Sequence, residues 1–174
     1  MEEQGRLMVG IKKPMIDEKF IENLALEAVT ENLRRNDWSP QLAETHNQKG
    51  FDLTALKGDK LVKIEVKGRS ILDYSGTKND SENQRKDPQR FFNFSKSQYE
   101  IGDFFVPVFV APSIRKCVVV PRRDFDRFAT SKFTPYRIAF SMDSNLEVRK
   151  IKRWRDGRTE DISKFIEGWH LLDE

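Results

Sequence analysis

The stretch that decides the fold is FDLTALKGDKLVKIEVK, residues 51–67, where two runs of alternating apolar and polar residues flank Gly58-Asp59. A two-residue loop that begins with glycine is typical of a type II′ β-hairpin. With this loop, Lys57 faces Lys60, and counting back along both strands places Asp52 opposite Glu65. The pattern therefore predicts a hairpin with two carboxylates paired across it.

Such a pair of acids needs a physical reason to exist. Facing residues in a hairpin have Cβ atoms about 4.5–5.5 Å apart, and like charges at that distance are destabilising. A folded protein keeps the pair if one acid is protonated, if a lysine compensates, or if a divalent cation binds between them. Lys67 lies two residues after Glu65 and so shares its face. Two oxygen ligands for a hard cation, with an ammonium beside them, are the equipment of metal-assisted phosphodiester hydrolysis.

A second interpretation of the same residues is an ordinary solvated sheet face. Lysines then balance the acids of a polar stripe formed by Asp52, Thr54, Lys63, Glu65 and Lys67. The hairpin register also matters, because a slip of one residue would move Asp52 to the other face. Spacing alone leaves both interpretations open.

Around the hairpin the chain alternates helices and strands. Residues 17–36 carry apolar side chains at helical spacing, with acids first and Arg34-Arg35 last, which predicts an α-helix. A polar stretch at 75–90 predicts a long loop. Further elements are predicted as a strand within 38–46, a helix at 94–102 capped by Ser95, buried strands at 103–111 and 115–121, a helical turn at 123–129, a hairpin at 136–142 and 146–154, and a closing helix at 160–172.

Composition limits the classes of protein that fit. The chain has 174 residues, of which 37% are hydrophobic and 34% charged, which suits one domain with a core at about 17–121 and a C-terminal basic hairpin and helix at about 136–172. One cysteine, Cys117, excludes a disulfide framework, and two isolated histidines argue against zinc hydrolysis. There is no glycine-rich phosphate loop, which argues against a nucleotide cofactor. No signal peptide or membrane span is recognisable, so we expect a cytoplasmic protein without membrane partners.

The segment Gly50-Phe51-Asp52, followed after twelve residues by Ile64-Glu65-Val66-Lys67-Gly68, resembles the signature of the PD-(D/E)xK nuclease superfamily. That superfamily includes restriction endonucleases and archaeal Holliday-junction resolvases. The resemblance spans roughly residues 20–120, through an acidic helix, the hairpin, a helix and apolar strands. Phe51 stands where the motif name has proline. The resemblance implies an α/β fold with a restriction-endonuclease-like mixed β-sheet core flanked by helices.

The resemblance also implies roles for the signature residues. Asp52 and Glu65 would bind Mg²⁺, or Mn²⁺ in its place, and the carbonyl of Val66 would be a further ligand. Lys67 would position the attacking water and stabilise developing charge. Many members add a glutamate from the first helix, a role that falls on Glu27.

Two details of this assignment stay open in the sequence. Glu22 and Glu31 are rivals of Glu27 for this role, and most helix glutamates are simply solvated, which is the alternative for all three. The Gln98-Tyr99 region falls where some members carry an auxiliary helix with a site-facing polar residue, so Gln98 or Lys96 would contact the phosphate, unless this helix is simply part of the surface.

The densest basic segment lies at 149–158, with one acid among ten residues. The net charge of the whole chain is only +3, so binding of a polyanion has to depend on such local clusters. DNA phosphates are the natural partners of this charge. The basic residues predicted to contact them are Arg149, Lys150, Lys152, Arg153, Arg155 and Arg158.

The leading interpretation is a Mg²⁺-dependent endonuclease acting on DNA, of restriction, junction-resolving or repair type. One such domain cuts one strand per site, so symmetric cleavage implies a homodimer. The apolar closing segment offers either a dimer surface or a contact with the chain's own core; its residues are Phe165, Ile166, Trp169, Leu171 and Leu172. The alternatives are a non-catalytic nucleic-acid-binding module of the same fold, and an assembly or regulatory subunit with a merely soluble face.

Overall fold

The computed structural model describes residues 17–43, 50–71, 89–131, 135–142, 147–150 and 162–174. Within these ranges the helices are α1 (Glu18–Arg35), α2 (Lys96–Ile101) and α3 (Arg122–Phe128). The strands are β1 (Ser39–Leu42), β2 (Leu53–Lys57), β3 (Lys60–Ser70), β4 (Gln89–Phe94), β5 (Phe104–Val110), β6 (Arg115–Cys117), β7 (Val120–Pro121), β8 (Ala129–Ser131), β9 (Tyr136–Met142) and β10 (Val148–Lys150).

The first sheet has the order β1-β2-β3-β5-β6, and β7 also pairs with β5. Strands β3 and β5 run parallel while the other pairs are antiparallel, so the sheet is mixed. Helix α1 packs on one face of it. A Cβ atom at Gly68 of β3 would lie 2.8 Å from the carbonyl oxygen of Ile21 and 2.9 Å from the Cβ of Ala25. Glycine at this position therefore allows α1 to approach β3 at backbone distance.

A second sheet, with the order β10-β9-β4 and with β8 on β9, packs on the opposite face of β5. Aromatic rings join the two sheets: Phe94 meets Phe105 at 5.1 Å between centroids, and Phe92 meets Phe109 at 5.5 Å. Successive side chains of β5 point to opposite faces, so Phe105 and Phe109 face the second sheet while their neighbours face α1. Aromatic rings therefore form the contact between the two sheets.

The predicted fold class is confirmed: a central mixed sheet is flanked by helices. Helix α1 begins after Asp17, whose carboxylate caps the amide of Lys19, and α2 begins after Ser95 with a capping box. The predicted hairpin of β9 and β10 is present. Strand β4 was not predicted, because its first residues fall in the segment interpreted as a loop; residues 75–88 of that segment lie outside the described residues. The single-domain organisation stays a prediction.

The predicted closing α-helix is wrong. Two short 3-10 helices stand there instead, Ser163–Phe165 and Trp169–Leu172. Between them the backbone turns to pair with the sheet: the carbonyl of Phe165 accepts from the amide of Val119, and the amide of Glu167 donates to the carbonyl of Cys117. Phe165, Trp169, Leu171 and Leu172 are buried in the chain's own core, so these four side chains do not form a dimer surface.

Among the described residues, no helix combines the length and the apolar character needed to cross a lipid bilayer.

Candidate active site

The hairpin register is confirmed: Leu53 pairs with Ile64, and Lys57 pairs with Lys60. Asp52 directly precedes β2, and its backbone amide donates to the carbonyl of Ile64 at 3.0 Å. The opposite face of the hairpin is buried, as its apolar alternation predicts; its core residues are Leu53, Ala55, Val62, Ile64 and Val66. Asp52 therefore lies beside β3 at the start of β2, and β3 continues beyond this point without β2 next to it.

The Asp52 carboxylate is fixed by the backbone of β3. Its Oδ2 atom accepts a hydrogen bond from the Val66 amide at 2.7 Å. Within a strand the amide and the carbonyl of one residue point to the same side. The Val66 carbonyl therefore points to the same edge of β3 as Asp52.

Glu65 is a buried carboxylate, with 1% of its surface exposed. Its Oε1 atom lies 2.8 Å from the Nζ of Lys67 and accepts a hydrogen bond from the Nε2 of Gln98. Burial, and then the charge of Asp52, raise the pKa of Glu65 to about 7, although Lys67 acts in the opposite direction. Glu65 therefore does not belong to a solvated stripe, and that interpretation of the pattern is wrong for this residue.

Lys67 stays charged beside it. Burial alone would lower the pKa of Lys67, but the attraction of Glu65, supported by Asp52 and Glu22, raises it above the ordinary value of 10.5. A group with such a pKa is an ammonium at neutral pH and donates hydrogen bonds. Lys67 is thus equipped to stabilise negative charge rather than to accept a proton.

Helix α2 brings Gln98 to the acids. The side-chain oxygen of Gln98 accepts from the Ser95 amide at 2.7 Å while its Nε2 donates to Glu65, so the capping box also orients the amide group. Gly50 locks α2 against the segment that leads to Asp52: it has φ +109°, and an added Cβ would lie 2.8 Å from the Cβ of Ile101 and 2.9 Å from the carbonyl oxygen of Ser97. In the sequence, the Ser95 cap indicates where α2 begins and so where Gln98 lies on it. No local pattern indicates that Gln98 contacts Glu65 on β3.

The helix glutamates differ in their position around α1. Ile21 and Ala25 face Gly68, and successive helix residues turn by about 100°. Glu22 therefore flanks the face that meets the sheet, and its charge contributes to the raised pKa of Lys67. Glu27 is exposed and lies on the side of α1 away from that contact. Glu31 pairs with Arg35 at 3.0 Å on the surface. The role of Glu27 stays a prediction, and Glu22 is the better placed of the three.

The donor set of this site consists of oxygen atoms. In the part of the chain that the structure describes, no group of three or more histidine, cysteine, aspartate or glutamate side chains has metal-binding geometry. Asp52, Glu65 and the Val66 carbonyl offer oxygen ligands from two side chains and one backbone group. This suits Mg²⁺, which binds through one or two carboxylates and keeps several waters, and does not suit zinc.

The predicted DNA-contacting residues are only partly visible. Arg149 and Lys150 belong to β10, which forms the end of the second sheet. Lys152, Arg153, Arg155 and Arg158 lie outside the described residues. Gln98 lies at the acid pair, where its amide contacts Glu65. Lys96 is exposed and lies 3.6 Å from Glu100.

The chain is similar to known proteins in sequence over part of its length and in fold over most of it. A family model described as "Protein NO VEIN, C-terminal" matches residues 21–92, which include Asp52, Glu65 and Lys67. A bacterial homing endonuclease, I-Ssp6803I, has a similar structure, with 15% identity and a TM-score of 0.52 over 90% of this chain and 92% of that one. Hjc, a Holliday junction resolvase of Archaeoglobus fulgidus, matches with 12% identity and a TM-score of 0.38 over 72% of this chain and 85% of that one.

No curated protein matches the sequence. At such low identity the likeness to I-Ssp6803I concerns the fold alone: this chain has the fold of that nuclease, with a central mixed sheet flanked by helices. Membership of the PD-(D/E)xK superfamily stays a prediction.

Proposed function

We propose that the protein is an endonuclease that hydrolyses phosphodiester bonds in DNA with the help of Mg²⁺ or Mn²⁺. The observation that carries the proposal is the buried Glu65, which is held between Lys67 and Gln98 and whose pKa is raised by burial and then by Asp52. A buried carboxyl beside a second acid is costly in a protein of purely structural role. The fold shared with a homing endonuclease supports the proposal.

Asp52, Glu65 and the Val66 carbonyl would hold the cation, with Glu22 or Glu27 as the helix acid. When bound, the cation would neutralise charge on the scissile phosphate and make a nearby water more acidic. The remaining work belongs to the chain itself. Lys67, an ammonium at neutral pH, would donate to a phosphate oxygen or to the attacking water as negative charge develops.

Gln98 and the Val66 amide would orient the two carboxylates. Each donates a hydrogen bond to one acid, which fixes the direction in which the remaining oxygens point. Hydrogen bonds of this kind hold the groups that bind a metal ion in one geometry. Arg149 and Lys150, with the basic residues that follow them, would bind the phosphates on either side of the cut. Symmetric cleavage of two strands would need two copies of the chain, and we propose a homodimer for that case.

The test is incubation with supercoiled plasmid, a synthetic four-way junction and single-stranded DNA, each with Mg²⁺ or with EDTA. We expect cleavage of at least one substrate with Mg²⁺ and none with EDTA. Lys67→Ala should reduce the rate on the order of a hundredfold, as expected for one donor to developing charge, with little change in DNA affinity. Lys60→Ala is the matched control, because Lys60 is exposed at the far end of the same strand.

Binding of these DNAs without cleavage under any metal condition would favour the non-catalytic binding module instead. Neither binding nor cleavage, together with a melting temperature unchanged by Mg²⁺, would leave the assembly or regulatory subunit.

A further inference from the structure

Beyond the acid pair, β3 continues with an arginine on the same face. Glu65, Lys67 and Arg69 alternate along the strand, so their side chains point to one side and lie about 7 Å apart in succession. The Nε atom of Arg69 lies 3.4 Å from the carbonyl oxygen of Phe91, which is a long hydrogen bond. Among the described residues no carboxylate forms an ion pair with Arg69. Its guanidinium is therefore available to an anion next to the candidate active site.

Phe91, whose backbone carbonyl is the group that Arg69 contacts, is an exposed aromatic residue. Strand β4 points Phe92 and Phe94 into the core, and the alternation sends Phe91 to the other side, where 43% of it is exposed. The guanidinium of Arg137 lies 5.3 Å from the centroid of the Phe91 ring, and its Nε donates to Asn93 at 2.9 Å. The ring is thus held in place by a cation while part of it stays open to solvent.

We propose that Arg69, Phe91 and Arg137, the arginine–phenylalanine strip, bind an unpaired nucleotide of a DNA strand that enters the active site. Arg69 takes a backbone phosphate next to the one at Lys67, and a base stacks on the Phe91 ring. Aromatic rings with arginines beside them are the general means of holding unpaired bases, because every base has a π-face. The proposal extends the proposed function by naming the substrate class: DNA with unpaired nucleotides, rather than an intact duplex.

The experiment measures binding without chemistry. Fluorescence anisotropy in EDTA compares a labelled single-stranded oligonucleotide with the duplex of the same sequence, at several salt concentrations. Phe91→Ala should weaken single-strand binding by about tenfold while leaving the salt dependence unchanged, as expected for the loss of one stacked base. Arg69→Ala should weaken binding and reduce the slope of log affinity against log salt by about one contact. Phe91→Trp should keep the affinity for the single strand.

Two control variants change the same residue types elsewhere. Phe20→Ala removes a ring that is 56% exposed on α1, and Arg35→Ala removes a surface arginine paired with Glu31. Neither should alter binding. The proposal is overturned if Phe91→Ala and Phe20→Ala bind the single strand alike, if Phe91→Trp loses affinity as Phe91→Ala does, if Arg69→Ala keeps the wild-type salt slope, or if the wild type does not bind single strands.

This outcome is separate from that of the proposed function, because no cleavage occurs in EDTA. A wild-type protein that binds through the strip but cuts nothing in Mg²⁺ would support the strip and contradict the nuclease. If the wild type cuts DNA and the Phe91→Ala variant binds single strands normally, the nuclease is supported and the strip is contradicted.

Discussion

The carboxylate of Asp52 accepts its hydrogen bond from the backbone of Val66, the residue that separates Glu65 from Lys67. This contact joins the first acid to the backbone of the strand that carries the other two groups, so removing it and removing the charge are different experiments. Asp52→Ala loses both and should lower the free energy of unfolding by about 1–3 kcal/mol, because the Val66 amide is left without its partner. Asp52→Asn keeps an acceptor oxygen and should be less destabilised.

Urea unfolding with and without Mg²⁺ measures both effects. The wild type should be stabilised by Mg²⁺, and both variants should lose that response, since each removes a ligand charge. Equal Mg²⁺ stabilisation in Asp52→Asn and the wild type would exclude Asp52 as a ligand.

The raised pKa of Glu65 predicts a pH-dependent penalty on folding. A carboxyl whose pKa is about 7 when folded and 4.5 when unfolded binds its proton more tightly in the folded state. Stability therefore falls as the pH rises from 4.5 to 7, by about 3 kcal/mol for a shift of this size. Glu65→Gln does not titrate, so its stability relative to the wild type should rise by about that amount between pH 4.5 and pH 8 in the absence of Mg²⁺.

Unfolding curves at both pH values check this prediction, with Glu31→Gln as the control on the surface of α1. If Glu65→Gln and the wild type kept a constant difference in stability across this range, the buried carboxyl would not have the raised pKa on which the site argument depends.

A substitution at Gln98 separates the effect of side-chain charge on stability from the effect of side-chain shape. Gln98→Glu keeps the size of the side chain and an oxygen for the Ser95 amide, but it places a third carboxylate against Glu65 where a donor had been. We expect a loss of about 1–3 kcal/mol in stability at pH 8. The loss should shrink at pH 5, because Glu65, whose pKa is raised to about 7, is then protonated and can donate to the new carboxylate, and it should shrink on addition of Mg²⁺. Thermal melts at the two pH values measure it, and a loss independent of both would show that only the helix cap was damaged.

Alanine substitutions at Gly50 and Gly58 compare a crowded glycine of positive φ with an open one. Gly50→Ala combines a φ of +109° with contacts to Ile101 and to the carbonyl oxygen of Ser97, whereas Gly58→Ala has a φ of +58° and open space around it. Gly58→Ala should cost about 1–2 kcal/mol, as expected for a left-handed residue alone. Gly50→Ala should cost more and should also reduce Mg²⁺ stabilisation, because the added methyl group pushes α2 away from the segment that leads to Asp52. Similar melting temperatures for the two variants would contradict the tight packing at Gly50.

The parts of this site that the sequence predicts are those encoded within one hairpin. Gly58-Asp59 and the alternation on either side define the register, and the register brings Asp52, Glu65 and Lys67 together. The burial of Glu65 could not be predicted, because it depends on α2 and on a second sheet whose strand β4 follows a polar segment. Gln98 is 33 residues from its partner, and no local pattern records that contact.

In the closing segment, a local pattern predicts an α-helix that tertiary contacts prevent. Its apolar spacing suits a helix, yet the backbone groups of Phe165 and Glu167 form hydrogen bonds with those of Val119 and Cys117. These hydrogen bonds to the sheet, rather than the helical period, determine the local conformation. The role of Glu27 stays a prediction, while the approach of α1 at Gly68 brings Glu22 toward Lys67, an orientation that the helical period alone does not fix. Periodicity identifies an element, but its rotation depends on what it packs against.

The pairing of the closing segment with Cys117 and Val119 has a consequence for how copies of this chain associate. It occupies backbone groups at one border of the first sheet that would otherwise be free to recruit a neighbouring molecule. The other border is β1, where Pro40 has no amide hydrogen to donate. Among the described residues, the addition of a strand from another molecule is thus disfavoured at both borders of this sheet, so any self-association there would have to use side-chain surfaces.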